Sequence, residues 1–199
     1  MRKLLFLPAL VFALAFAGTL HAQELDLGLG FGTVVAPAAS INSSGFLVPS
    51  LSGGLYTSFS GTVRLPHFPI GFNGQVAWRT RQAVYLGIQP FQPLFYDFNA
   101  NFGRTWHKKI GADIMAGIGA ESLRFYTPYY NCDPFTCTNY VSSNHFMGAF
   151  GGGLKIYPTG GRWFIRPEVR VYTIHDNFEF PSNIAVRPSV SIGYTFGGG

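Results

Sequence analysis

The sequence predicts an all-β protein, an up-and-down antiparallel transmembrane β-barrel of about eight strands. Three observations predict it. Apolar residues alternate strictly with small or polar ones over long stretches, as in "SLSGGLYTSFSGTVRL" at residues 50–65. The connections between those stretches are alternately long and short. Charged residues make up only 12% of the chain, half the usual ~25%, which is too few to clothe a domain of this size in water. The formal net charge of +5 is modest and gives no reason to expect nucleic acid as a partner.

The first residues read differently from the rest. In "MRKLLFLPALVFALAFAGTLHAQ", Arg2 and Lys3 form a positive head and Leu4 to Ala17 is apolar except for Pro8. That run is too short for a membrane-spanning helix and fits a cleaved secretory signal. Cleavage is readable after Ala17 or after Ala22. Ala22 is the better position, because strand periodicity starts immediately afterwards. The expected organisation is a signal peptide at 1–22 and a barrel domain at 23–199. No cysteine lies near the cleavage region to carry a lipid anchor, and no later apolar run approaches the ~18 residues of a spanning helix.

Successive side chains of a strand point to opposite faces, so each predicted strand carries one apolar face. The first, Leu25–Val35, presents Leu25, Leu27, Leu29 and Phe31. The second, Ser50–Leu65, presents Leu51, Leu55, Phe59 and Val63. Ile70–Thr80 follows with Ile70, Phe72, Val76 and Trp78, and Leu94–Gly103 with Tyr96, Phe98 and Phe102. Ile110–Phe125 has Ile110, Ile114 and Ile118 in phase. His145–Tyr157 has Phe146, Phe150, Leu154 and Ile156. Arg162–Ile174 offers Trp163, Ile165, Val169 and Val171, and Ala185–Phe196 closes with Val186, Val190, Ile192, Tyr194 and Phe196. Pro167 and Pro188 fall inside the last two strands and predict bulges or local edges. Most of the segments reach the ~9–11 residues that a tilted strand needs to cross a bilayer.

The connections set the orientation. "APAASINSSGFLVP", "RQAVYLGIQPFQP", "TPYYNCDPFTCTNYVSS" and "HDNFEFPSN" are long, and they alternate with the short "PHFP", "RTWHKK" and "PTGG". In an up-and-down sheet all the short turns then lie at one end and all the long loops at the other. Transmembrane barrels show this asymmetry, with short periplasmic turns and longer extracellular loops.

The second face of each strand carries Gly, Ser, Asn and Ala, with charges in mid-strand: Asp26, Arg64, Arg79, Asp97, Asp113, Glu121, Lys155, Arg166, Glu168, Arg170 and Arg187. Cations and anions are nearly balanced, which suits paired charges filling the inside of a narrow barrel. Leu51, Leu55, Phe59 and Val63 are then expected to face lipid. Trp78, Trp106, Trp163, Tyr126, Tyr157, Tyr172 and Phe196, near strand ends, are expected in an aromatic girdle. A soluble, lipocalin-like ligand-binding barrel with the faces inverted is the alternative. It would leave a Gly- and Ser-rich exterior short of Lys and Glu.

With its signal peptide, alternating strands and loops, and a closing strand "VRPSVSIGYTF", the chain resembles the small eight-stranded outer-membrane barrels of the OmpA/OmpX type. The resemblance is architectural and covers nearly the whole mature chain, although Phe196 is followed by "GGG" where that family ends on an aromatic. It implies an outer-membrane location, outer-membrane lipids and the barrel assembly machinery as partners, and long loops that meet an extracellular ligand.

Catalytic and metal signals are sparse. Cys132 and Cys137 in "YYNCDPFTCTNY" favour one disulfide in an exported chain. Two cysteines without nearby histidines do not make a zinc site, so no metal and no cofactor is expected. Some small outer-membrane barrels deacylate lipid A with a His-x-Ser pair. "SSNHF" offers Ser143 and His145 at that spacing in reverse order, with His175 and Asp176 as further rim groups. The plainer reading is a polar rim around a loop. His67 and His107, in the short turns, read as membrane-interface residues. "GAFGGGLKIYPTGG" lacks the strand-to-helix context and the Lys-Ser/Thr of a phosphate loop. The sequence therefore favours a non-enzymatic barrel with an envelope-integrity or surface-interaction role, with a lipid A hydrolase as the alternative.

Overall fold

The computed structural model describes residues 24–41, 47–48, 50–65, 68–106, 109–133, 136–180 and 182–197. The expected signal segment, His67 and His107 lie outside these residues. Eight long strands build the molecule: β1 (Glu24–Gly32), β2 (Tyr56–Arg64), β3 (Ile70–Arg79), β4 (Gln89–Trp106), β5 (Ile110–Asp133), β6 (Thr136–Ile156), β7 (Trp163–Ile174) and β8 (Ile184–Phe196). Each pairs antiparallel with its chain neighbours, and β1 pairs with β8 from Leu25↔Phe196 to Gly32↔Ser189, closing the barrel. Closure leaves no edge strand within the wall, so backbone donors and acceptors there find partners inside the sheet.

The alternation of the sequence becomes an inside and an outside. Phe59, Phe72, Phe98, Phe102, Ile114, Ile118, Phe146, Phe150 and Ile192 are all more than half exposed on the outer surface. An apolar belt of this extent has no stable contact with water and marks a surface solvated by lipid. The opposite parity is buried: Asp97, Asn99 and Asn101 of β4 are at most 3% exposed. Trp106, Trp163 and Phe196 lie exposed at the short-turn end, as a girdle requires. Tyr157 and Tyr172 do not join it; they share the inward parity and are buried.

Two element boundaries differ from expectation for local reasons. The second strand begins at Tyr56 rather than Ser50, because Gly53 and Gly54 both adopt φ +85°, a left-handed conformation that ends an extended strand. The segment before them folds over the barrel mouth, held by Gly53 N–H donating to Val34 O (2.7 Å) and Ala36 N–H donating to Ser52 Oγ (2.6 Å). Leu51 therefore does not face lipid; it is 2% exposed inside the barrel. Leu55 and Phe59 are exposed and Val63 is half-buried on the outer parity. The expected long loop between β5 and β6 is instead a continuation of both strands. It forms a projecting hairpin with a register shift between Tyr126 and Asn131 and a Cys132–Cys137 disulfide at its tip.

Pro167 and Pro188 produce no bulge in the β7–β8 ladder, where they lie opposite Val190 and Val169. The β6–β7 pairing, however, lapses at Arg166 and Pro167, between Ile165↔Ile156 and Glu168↔Gly153, the local edge that a missing donor predicts. Both prolines point outward. Pro188 contributes through its carbonyl, which accepts Thr33 N–H at 3.1 Å.

Candidate functional site

The lumen and the long-loop end are the two places where side chains gather for a purpose beyond spanning a bilayer. In the half nearer the short turns the lumen is ionic. Arg64 donates to Glu24 (2.9 Å) and lies 3.9 Å from Asp26, which also pairs with Lys155 and accepts Thr195 Oγ1–H at 2.6 Å. Lys155 reaches Asp113 (3.9 Å), which accepts from Arg166 at 2.9 Å. Glu168 gathers three guanidinium groups: Arg166 at 3.5 Å, and Arg170 and Arg187 at 3.3 Å each. It also accepts from Gln75 (3.1 Å) and Ser189 (3.2 Å). Arg170 completes the chain by pairing with Asp97 and donating to Asn73 Oδ1 at 2.9 Å. Alternate positions on one strand share a face, which is how Arg166, Glu168 and Arg170 of β7 come to the centre of this network.

Two expected members stand apart from it. Glu121 is fully buried, yet both carboxylate oxygens lack a hydrogen-bond partner and no cation pairs with it among the described residues. It lies one layer too far toward the long loops, opposite Phe95 and His145. Arg79 ends β3, is only half-buried beside Gly54, and has no acidic partner among the described residues.

Above the ionic layer the lumen is apolar. Phe95 stacks on Tyr172 (5.0 Å between centroids, 5° between planes), and Tyr56 tilts against Phe95 at 5.9 Å. Leu51, Phe91, Leu123, Met147, Ile174 and Phe180 complete this plug. Phe180 comes from the β7–β8 connection, which folds inward rather than standing free. Tyr85 clamps it from the β3–β4 connection, edge-on to Phe180 at 5.8 Å with its hydroxyl donating to Glu179 O at 3.0 Å. Burial first, and the Glu179 carboxylate second, hold the Tyr85 phenol above its ordinary pKa. Sequence periodicity misses this cap, because Phe180 and Tyr85 lie in connections with no repeating pattern.

The candidate catalytic pair occupies the same layer. Ser143 Oγ lies 3.0 Å from His145 Nε2, and Glu179 Oε2 lies 2.9 Å from the same nitrogen. A nucleophile–base–acid relay uses both ring nitrogens, one toward the nucleophile and the other toward the carboxylate. Here serine and carboxylate compete for one. Ser143 and His145 also lie on the inward parity of β6, and Phe178 packs edge-on against the imidazole at 5.3 Å. The carboxylate beside His145 is Glu179, not Asp176, which meets His175 at 3.1 Å on the exposed rim. The arrangement ties a loop across the barrel mouth.

No protein-family model matches the chain, and no curated protein matches it in sequence. Solved structures match in fold. Neisserial surface protein A is 9% identical with a TM-score of 0.59, over 87% of this chain and 97% of that one. A major outer membrane protein of Thermus thermophilus is 12% identical with a TM-score of 0.58, over 88% of this chain and 100% of that one. Ail, the attachment invasion locus protein of Yersinia pestis, in complex with the heparin analogue sucrose octasulfate, is 13% identical with a TM-score of 0.54, over 88% and 99% of the two chains. The fold is thus that of the small eight-stranded outer-membrane barrels, as the strand pattern predicts.

Proposed function

We propose that the protein is an exported, integral outer-membrane barrel whose work lies in the hairpins at its long-loop end, in surface interaction or envelope integrity. On this reading residues 1–22 are a cleaved signal peptide and the barrel assembly machinery inserts the chain. The observation that carries the proposal is a contrast between lumen and loops. The lumen is filled by the ionic network and the aromatic plug, as expected of eight strands, whose interior is just wide enough for side chains. The β5–β6 hairpin instead projects with Tyr129 and Tyr130 81% and 72% exposed, and loops carried on a rigid scaffold are where binding residues concentrate. The Ail complex with a heparin analogue offers a precedent for a barrel of this fold meeting a ligand.

The test combines planar-bilayer recording with cell fractionation. The proposal expects a band in the outer-membrane fraction whose gel mobility shifts on boiling, and no steady conductance from the purified barrel. Sustained ohmic conductance moves the function into the lumen. A protein recovered in the soluble periplasmic fraction overturns the membrane reading itself.

A further inference from the structure

The β3–β4 connection breaks two local rules within the five residues from Val84 to Ile88. Ile88 N–H donates to Tyr85 O at 3.2 Å, closing a β-turn whose central residues Leu86 and Gly87 have φ values of +50° and +77°. Tyr85 pairs with Gln89, so three residues make the connection, and two successive positive φ values within it suit Asn-Gly, which adopts the left-handed region at little cost. Leucine does not, so the first central position is strained. The side chain held there is apolar and half exposed, and its neighbours Val84 and Ile88 are 56% and 87% exposed. Strain and exposed aliphatic surface at one site mark a functional element rather than a folding one.

The tip is also held rigidly from below. Tyr85 packs edge-on against Phe91, Phe125 and Phe180, at 6.1, 5.3 and 5.8 Å. Val84, Leu86 and Ile88 are therefore presented by a fixed base rather than by a mobile loop. The only charged residues from Arg79 to Gln92 are Arg79 and Arg81. Among the described residues neither has an acidic partner, and Arg81 is exposed.

We propose that this hairpin is a membrane-insertion tip, entering the hydrocarbon of a second, apposed bilayer while Arg81 at its base meets anionic headgroups. Composition and charge both favour lipid over a protein groove. Protein hot spots are rich in Trp, Tyr and Arg, whereas Leu and Val are under-represented there. Three aliphatic side chains bordered by unpaired arginine match an interface of hydrocarbon beneath phosphate. The tip stands clear of the barrel's own hydrocarbon. β4 has 18 residues against the ~9–11 that a crossing needs, which leaves a rise of several residues at about 3.3 Å each. The inference rests on the reading that the barrel is membrane-embedded with its long loops outward.

The experiment uses the whole barrel reconstituted in nanodiscs, so that its own membrane is already provided. It is mixed with phosphatidylcholine vesicles, alone or with added phosphatidylserine, and floated on a density gradient. Wild type is expected to float with the vesicles, more strongly when phosphatidylserine is present. The V84S/L86N/I88S variant, whose Asn suits the left-handed position, is expected to lose at least about tenfold in vesicle binding on loss of three aliphatic contacts. R81Q is expected to lose only the phosphatidylserine enhancement. A folded wild type that ignores vesicles, or a triple variant that binds as wild type does, overturns the tip alone. A chain that neither enters nanodiscs nor shows heat-modifiable mobility overturns the membrane reading on which the tip rests.

Discussion

Arg170 of β7 and Asp97 of β4 meet across the lumen, each with its side chain 1% exposed. Their strands are not neighbours in the wall, so the pair is a strut spanning the barrel. Removing one member leaves a buried, uncompensated charge, which costs roughly 3–5 kcal/mol. Asp97→Ala is expected to destabilise the lipid-reconstituted barrel by that much and to lower its urea midpoint accordingly. Replacing both, as in D97L/R170M, is expected to recover most of the loss. Tryptophan fluorescence against urea checks both, and equal loss in the single and double variants contradicts the strut.

The outer wall makes the complementary prediction. Phe98 is 73% exposed on the outward parity of β4, among side chains that contact lipid. Phe98→Arg is expected to destabilise the barrel by about 2–4 kcal/mol if the residue lies near the bilayer midplane. Tyr129→Arg, 81% exposed on the projecting β5–β6 hairpin, is expected to cost under about 1 kcal/mol as an ordinary surface change. Paired unfolding titrations in the same lipid read the difference.

Leu86 supplies a prediction in the other direction. Its φ of +50° is a conformation that costs an L-residue about 1–2 kcal/mol, and Asn visits it readily. Leu86→Asn is expected to slow hydrogen exchange at the Ile88 amide that closes the turn. Faster exchange at that amide contradicts the strain assignment.

The disulfide at the tip of the β5–β6 hairpin closes a separation of five residues, beyond the wall of the barrel. Its stabilisation is expected to be local, since opening such structure costs far less than global unfolding. C132S/C137S is expected to leave the heat-modifiable transition unchanged and to expose the hairpin around Tyr129 and Tyr130 to protease. A lowered transition temperature would place the hairpin within the cooperative unit of the barrel.

The wall is legible in the sequence because its signal is a period of two, repeated on every strand. Phe72, Phe98 and Ile118 declare one face, and Asp97, Asp113 and Arg170 the other. Periodicity misplaces Leu51 because its parity is continuous in the sequence but broken in space by Gly53 and Gly54, and a φ sign cannot be read from a glycine. Glu121 falls outside the ion-pair network that its parity predicts, because strand parity gives the face but not the depth. One layer nearer the loops, it lies in register with Phe95 and His145 rather than beside arginine. The pairing of His145 with Glu179 joins a strand to an aperiodic loop, a contact that only the folded chain reveals. Ser143 and His145 are readable as a pair, but their inward direction and their competition with Glu179 for one nitrogen are not.

The most direct test of the central claim, that the large apolar side chains face lipid and the charges face the lumen, is a labelling scan of β4. Single cysteines from Tyr96 to Phe102, in a background lacking Cys132 and Cys137, would each carry a spin label in the lipid-reconstituted barrel. Accessibility to oxygen and to a water-soluble nickel complex is then compared. The account expects a period of two, with oxygen maxima at Tyr96, Phe98, Ala100 and Phe102 and protection from both reagents at Asp97, Asn99 and Asn101. Maxima at the odd positions, or nickel accessibility at Phe98 and Phe102 as high as at an exposed loop site, would contradict it.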